Sequence, residues 1–178
     1  GVRSRAEVVQ AVRAELEDLN ARMAEDSKLG LCLAELRKRL VQSVPQQFVD
    51  QARTAVRSSF EQSMQEEGLT LQQFLAQTGA TPRQLEAMFD EQARESAEND
   101  AVLSAVAHER RLKVSDQEIG SLLGLLTGQT LSSEEASRLI AQTRLEGNFD
   151  EMREMALRSK AAQLIVAECS CTYVHESP

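Results

Sequence analysis

The chain has 178 residues, a formal net charge of -8 and few aromatic side chains: five Phe, one Tyr and no Trp. Its hydrophobic fraction of 42% is too high for a disordered protein, and three cysteines are too few for a disulfide framework. The sequence contains no apolar run of the ~18–20 residues that a transmembrane helix needs. The excess of acidic side chains argues against a protein that binds nucleic acid through its overall charge. We therefore expect a folded protein with no membrane partner and no direct nucleic-acid partner.

The first 43 residues have the pattern of one long helix. Ser4 and Glu7 are spaced as a capping box, and apolar residues then recur from Val8 to Leu40 in steps of mostly three and four. A helix over about 5–42 would be roughly 57 Å long at 1.5 Å per residue, whereas a small compact domain is about 30 Å across. The pattern therefore predicts an elongated all-α protein.

Three more helices are predicted between residues 44 and 112. Pro45 suits a first helical turn, and Gly68 follows the apolar stripe as a stop signal. Thr70 and Thr81 each precede a Gln by three residues, which is the spacing of a capping box, and Gly79 lies between them. The predicted helices cover about 45–66, 70–79 and 81–111, and the stretch 91–100 is polar enough to be solvated on most faces.

The remainder of the chain predicts two short helices and a closing helix. Ser115 and Ser132 each precede a Glu by three residues, so each is a predicted capping box, and Gly147 is a predicted stop. The closing helix is predicted over Phe149–Glu168, followed by a short tail that alternates in polarity and could be extended. We found no other convincing strand.

Four stretches, in register along the whole chain, resemble the C-terminal domain of bacterial trigger factor, a ribosome-associated folding chaperone. They are VRSRAEVVQAVRAELEDL (2–19), SVPQQFVD (43–50), GLTLQQFLAQTG (68–79) and the MR…AL…A…L pattern within 148–174. The resemblance implies one domain, 1–178, with a long helix (2–43), a first arm (44–112), a second arm (113–147) and a closing helix with its tail (148–178). Two projecting arms would form a cradle, in a fold that is also related to a periplasmic chaperone.

The resemblance further implies ATP-independent binding of unfolded or nascent polypeptides in the cytoplasm, without a cofactor. The ribosome-docking and prolyl isomerase domains of the family do not occur in this sequence, so contact with the ribosome and isomerase activity would belong to sequence outside it. The chain departs from the family at residues 120–128, which read GSLLGLLTG where the family is usually charged.

Candidate contacts with polypeptide are apolar residues on the two predicted arms. An extended helical arm cannot bury all of its apolar residues, and Met in particular suits an adaptable surface. Some of these residues must instead hold the arms together. The candidates are Phe48, Val49, Phe60, Met64, Leu71, Phe74, Leu75, Met88 and Phe89 on the first arm, and Leu122, Leu125 and Leu126 on the second.

Two further patterns each allow two interpretations. Gly120, Gly124 and Gly128 share a helix face, which favours close approach of two helices with a frayed end at Gly128, or else a flexible arm that opens to clients. Residues 41–100 carry 4 basic and 10 acidic side chains. This excess is typical of a solvated helix face, although it could also favour basic clients.

The sequence shows no recognisable catalytic set, so we expect no enzyme activity from it. His108 has no visible catalytic partner and is most simply a surface residue. Cys169, Cys171 and His175 could supply three ligands to a soft metal, but the spacing differs from common zinc sites and only Cys32 remains as a fourth. Reduced, partly buried thiols are the simpler interpretation, and we predict no metal.

Two rival functions remain open at this stage. One is a helical scaffold or dimerisation module, in which the apolar arms pair with a second copy of the chain. The other is a periplasmic chaperone of the same fold.

Overall fold

The computed structural model describes residues 27–170, which form seven helices and no strand. They are α1 (27–37), α2 (Gln46–Glu66), α3 (Leu71–Thr78), α4 (Pro82–Glu109), α5 (Asp116–Thr127), α6 (Ser133–Glu146) and α7 (Phe149–Glu168). The all-α prediction is therefore confirmed for this part of the chain. The predicted helical residues before 27 and the tail after 170 lie outside the described residues.

The helix starts agree closely with the sequence signals. Thr70, Thr81, Ser115 and Ser132 all form complete capping boxes, in which the N-cap hydroxyl accepts from a backbone N–H and the Gln or Glu three residues later accepts from the N-cap N–H. Each box satisfies two backbone donors that a helix start otherwise leaves unpaired. These local interactions explain why four starts could be predicted from sequence.

Two helix ends were predicted too late. The first helix ends at residue 37 and not near 42, because the backbone N–H groups of Arg39 and Leu40 donate three residues back, to Leu36 and Arg37, and tighten the last turn. Helix α4 ends at Glu109 and not near 111, because Arg111 adopts a positive φ of 50°. A side chain at positive φ interrupts helical geometry, and the chain turns there towards α5.

Helix α7 packs against α4, α5 and α6. We call α7 and the part of α4 that contacts it the body of the structure. Its buried residues Ala156, Leu157, Ala161 and Ile165 contribute to three hydrophobic clusters along its length. Ala161 is fully buried beside Ala107 of α4, so small side chains on both helices permit close packing.

Helix α1 joins this body near the C-terminal end of α7. Cys32 and Leu33 pack with Val102 of α4 and Ile165 of α7. On the adjoining surface, Arg37 Nη1 lies 2.5 Å from Glu95 Oε1 and donates to Asn99 Oδ1 over 3.0 Å. The helix is thus held by apolar burial and by polar contacts with α4.

Glu118 ties the start of α5 to α7. Lys160 Nζ of α7 donates to Glu118 Oε1 over 2.6 Å and to the Lys113 backbone oxygen over 2.7 Å. The hydrogen bond from Lys160 and those from the backbone and hydroxyl of Ser115 lower the pKa of Glu118 to about 2 from its usual 4.5. Folding therefore favours the ionised carboxylate.

We predict that Glu118→Gln destabilises the fold in a pH-dependent way. Because the pKa is lowered in the folded state, the carboxylate's contribution is complete above about pH 4.5 and is lost as the pH falls towards about 2. Glutamine retains an acceptor oxygen for Ser115, so the substitution mainly removes the charge. Urea unfolding at a series of pH values should show a stability difference near neutral pH that shrinks below pH 4.5. A difference that stays constant down to about pH 2 would contradict this assignment.

Candidate functional site

We call α2, α3 and residues 82–100 of α4 the first arm; they lie within the arm predicted over 44–112. Its interior centres on three aromatic rings: Phe60 of α2 lies 5.1 Å from Phe74 of α3 and 5.2 Å from Phe89 of α4, both in edge-to-face geometry. Such aromatic contacts stabilise by about 0.5–1.5 kcal/mol each beyond the area they bury. One Phe from each of the three helices therefore contributes to the contact that holds the arm together.

Arginines of α2 extend this contact along α4. Arg53 Nη2 donates to Glu86 over 2.8 Å, Arg53 Nε lies 2.7 Å from Asp90 Oδ1, and Arg57 pairs with Glu86 as well. The Arg57 guanidinium also lies 5.5 Å from the centre of the Phe89 ring. Because these groups are partly exposed, their ion pairs contribute little to the stability of the arm. Their main effect is to align α2 with α4.

The acidic stretch of α4 is solvated on most faces, as predicted. Ala93 and Ala97 are buried, whereas Glu91, Arg94 and Glu95 are exposed. The alternation places two small apolar residues one turn apart on the inner face of the arm and leaves the charged groups in solvent.

The nine first-arm candidates separate by exposure. Phe89 is 3% exposed and Met64 is 8% exposed, so both are interior residues of the arm. Half-buried positions are Val49, Phe60, Phe74 and Leu75. Phe48, Leu71 and Met88 are 48%, 51% and 38% exposed, and these three present apolar surface to solvent.

The second arm consists of α5 and α6, which pack together and against the N-terminal part of α7. Ile119, Leu123, Ile140 and Ala156 form its buried cluster, with Phe149 and Met152 of α7 beside it. One face of this arm is therefore joined to the body. Of its candidates, Leu122 is half-buried, whereas Leu125 and Leu126 are 79% and 59% exposed.

The glycines of the second arm allow the two helices to touch, as one of the two sequence interpretations predicts. A Cβ atom at Gly120 would lie 2.7 Å from Ala136 Cβ of α6, so this glycine permits the contact between the helices. A Cβ atom at Gly124 would lie 2.8 Å from the Gln129 backbone oxygen, which belongs to the loop after α5. The expected frayed end at Gly128 is wrong. Gly128 takes a left-handed conformation and its N–H closes α5, because glycine adopts that conformation without steric cost.

Three exposed apolar residues are not among the contact candidates predicted from the sequence. Leu31, Val41 and Leu145 are 52%, 98% and 89% exposed. Leu31 departs from the stripe of Leu29, Leu33 and Leu36 in α1, so its exposure could have been predicted from helical period. Val41 was assigned to a helix that ends before it.

The described residues, 27–170, contain no assembled metal site. No group of three or more His, Cys, Asp or Glu in that part of the chain is placed to hold a metal ion. Cys32 is buried, Cys169 is half-buried and His108 is exposed, while Cys171 and His175 lie outside the described residues. None of the helices searched over the same residues is long and apolar enough to cross a membrane.

Comparison with known proteins places this architecture in a family. A family model described as the bacterial trigger factor protein (TF) C-terminus matches residues 6–167. The chain belongs to this trigger factor family. The match includes both arms and nearly all of α7, so the family resemblance seen in the sequence is confirmed.

Individual trigger factors are similar over most of this chain but are much longer. The trigger factor of Citrifermentans bemidjiense is 25% identical over 176 residues, which cover 94% of this chain and 38% of that protein. That of Bacillus subtilis is 26% identical over 162 residues, covering 86% and 37%. The chain thus spans somewhat more than a third of these relatives. No solved structure matches it.

We predict that Gly120→Ala destabilises the second arm by about 1–3 kcal/mol, the usual cost of overpacking. The added methyl group would meet the Cβ of Ala136, which cannot move without its helix. Thermal or urea unfolding of the single variant measures the loss. Adding Ala136→Gly should restore part of it by removing the second methyl group, and failure of the double variant to recover any stability would argue against this contact.

A second prediction compares the neighbours Met88 and Phe89. Phe89→Ala should lower the free energy of unfolding by about 3 kcal/mol, because it removes a buried ring in contact with Phe60. Met88→Ala should cost about 1 kcal/mol or less, because Met88 is partly exposed. Urea unfolding of both variants measures the difference, and equal losses would show that Phe89 does not hold the arm together.

Proposed function

We propose that this chain holds unfolded or nascent polypeptides without nucleotide, as the polypeptide-binding part of a trigger factor in the cytoplasm. The observation that carries the proposal is the set of large apolar side chains exposed on both arms of a trigger factor C-terminal fold. These are Phe48, Leu71 and Met88 on the first arm and Leu125 and Leu126 on the second.

The physical basis is transient burial of apolar client segments. Covering one large apolar side chain contributes roughly 1.5–3 kcal/mol, so a few separate contacts hold a client while each remains weak enough to break. Dispersed sites also accept different client sequences, since no single arrangement of pockets must be filled. Release by thermal dissociation needs no hydrolysis step.

The interior contacts of the two arms leave these side chains in solvent. In the first arm the Phe60, Phe74 and Phe89 rings occupy the interior, so Leu71 and Met88 do not need to close it. In the second arm the buried cluster leaves Leu125 and Leu126 at the end of α5. The interior residues position the contact residues and do not themselves bind.

The proposal includes no enzyme activity for these residues. It assigns prolyl isomerase activity and contact with the ribosome to parts of a trigger factor outside this sequence. Self-association through the arms is the second candidate, since the same exposed leucines could pair between copies. Sedimentation at increasing concentration separates the two, because a tight dimer that covers the arms would have no affinity for clients.

We predict that the chain suppresses aggregation of a chemically denatured client at low molar excess. Replacing Phe48, Leu71 and Leu126 together by Ser should raise the required concentration by at least about tenfold, because each lost apolar contact of roughly 1.5–3 kcal/mol corresponds to about tenfold or more in affinity. Light scattering after dilution from denaturant gives the measurement.

The matched control replaces Leu31, Val41 and Leu145 by Ser, which removes exposed apolar side chains outside the candidate set. Its suppression should stay close to that of the unchanged chain. Equal losses in both triple variants would refute the assigned contact surface, and inactivity of the unchanged chain at several-fold excess would refute independent holding.

A further inference from the structure

Two short connections join the second arm to the rest of the structure. One runs over residues 110–115, between α4 and α5, and the other consists of Gly147 and Asn148, between α6 and α7. Each contains one residue in the left-handed region, because Arg111 has a φ of 50° and Gly147 a φ of 79°. The chain therefore turns sharply at both connections, and the arm between them is a unit of two helices packed on each other.

A cationic side chain spans each connection. Lys160 of α7 donates to the backbone oxygen of Lys113 over 2.7 Å and to Glu118 Oε1 over 2.6 Å. It thus holds the first connection and the start of α5 against α7. Arg144 of α6 spans the second connection, since its guanidinium carbon lies 4.4 Å from the centre of the Phe149 ring in α7.

Both cations also contact the first turn of α5. Arg144 Nη2 donates to the two carboxylate oxygens of Asp116 over 3.3 and 3.2 Å, and Lys160 donates to Glu118 in the same turn. Hydrogen bonds from Lys160 and Ser115 lower the pKa of Glu118 to about 2, so this carboxylate is ionised at neutral pH. These polar contacts tie α5 to α6 and α7 at its start, the end that lies next to the first connection.

The apolar contact between the second arm and α7 is limited to one cluster. Its α7 residues are Phe149, Met152 and Ala156, all near the start of that helix, and the first two are only half-buried. Helices α5 and α6 share more contact with each other than either shares with α7. Apolar attraction has no preferred direction, so it holds the arm against α7 without defining the angle between them. Hydrogen bonds do have a preferred direction, and they span both connections.

We propose that Lys160 and Arg144 form an electrostatic clamp that sets the angle of the second arm on α7, and that the arm turns about its two connections when the clamp opens. Both are positioning residues, because they act through α5 and need not touch a client. The angle they set decides how far the exposed Leu125 and Leu126 stand from the first arm. The proposal goes beyond the proposed function, since it concerns the geometry of the arm whatever the arm binds.

The clamp should respond to ionic strength. Its ion pairs are partly exposed, with side-chain exposures of 38% and 43% for Lys160 and Glu118 and of 53% and 64% for Arg144 and Asp116. The Debye length falls from about 30 Å at 0.01 M salt to about 3 Å at 1 M, so salt weakens such pairs.

The test measures the distance between two nitroxide labels by pulsed electron–electron double resonance. One label is placed at Thr130, in the exposed loop between α5 and α6, and the other at Gln163, an exposed residue of α7. Non-natural ketone side chains carry the labels, so the native cysteines stay unchanged. At about 0.01 M salt the labelled chain should give one narrow distance distribution.

Removing both cations should release the arm. Methionine keeps an apolar stem without the charge, so the double variant Lys160→Met, Arg144→Met removes the clamp with little loss of packing. We expect a second distance population, with its ratio to the first raised about fivefold or more over the unchanged chain. Raising the salt to about 1 M should broaden the distribution of the unchanged chain and have little further effect on the double variant.

Two further variants serve as controls. Lys160→Arg keeps a cation with several donors and should retain the narrow distribution. Arg138→Met removes a cation of the second arm that pairs with Glu134 of the same helix over 2.6 Å and spans neither connection, so it should also leave the distribution narrow. An unchanged distribution in the double variant would overturn the proposal, and so would equal broadening in Arg138→Met.

Hydrogen exchange separates turning of the arm from local unfolding. If the arm turns as a unit, the amides of Leu123 and Ile140, in its buried cluster, keep their protection while the label distance changes. Loss of this protection together with the broadening would show that the substitutions unfold the arm, which would overturn the clamp.

Discussion

The packing of α7 against three other helices is the constraint on which the rest of the structure depends. Ala156 lies in the cluster of the second arm, Leu157 and Ala161 face α4, and Ile165 lies in the cluster that holds α1. The small side chains of Ala156 and Ala161 bring the helices close enough for dispersion contacts over many atoms. Since α4 continues beyond this contact, the first arm extends from the body in a direction that α7 determines. The exposed apolar positions of both arms therefore depend on how this one closing helix packs.

The helices of the two arms are held together by different interactions. The first arm has a small aromatic centre and ion pairs along its side, so α2 and α4 are aligned without a large hydrophobic core. The second arm has no aromatic centre of this kind among its own helices and relies on aliphatic packing, with Gly120 permitting contact with Ala136. Both arrangements leave large apolar side chains in solvent. In most folded domains such residues would close a core, and here they are the side chains for which we propose contact with polypeptides.

The two arms also differ in the charge of their surfaces. The acidic groups of α4 lie on its solvated faces, where they oppose self-association of a protein with exposed apolar surface. The residues that line the hollow between α5 and α6 are, in contrast, mainly neutral.

The sequence by itself determined the helical class, four capped helix starts, the helix ends at Gly79 and Gly147, and the family. These features depend on interactions within three or four residues, or on a pattern that runs through the whole chain. It could not separate Met88 from Phe89, because both are apolar neighbours and only the direction of α2 and α3 relative to α4 makes one exposed and the other buried. The same holds for the ends of α1 and α4. Those features depend on how helices approach each other in space, and helical period does not encode that distance.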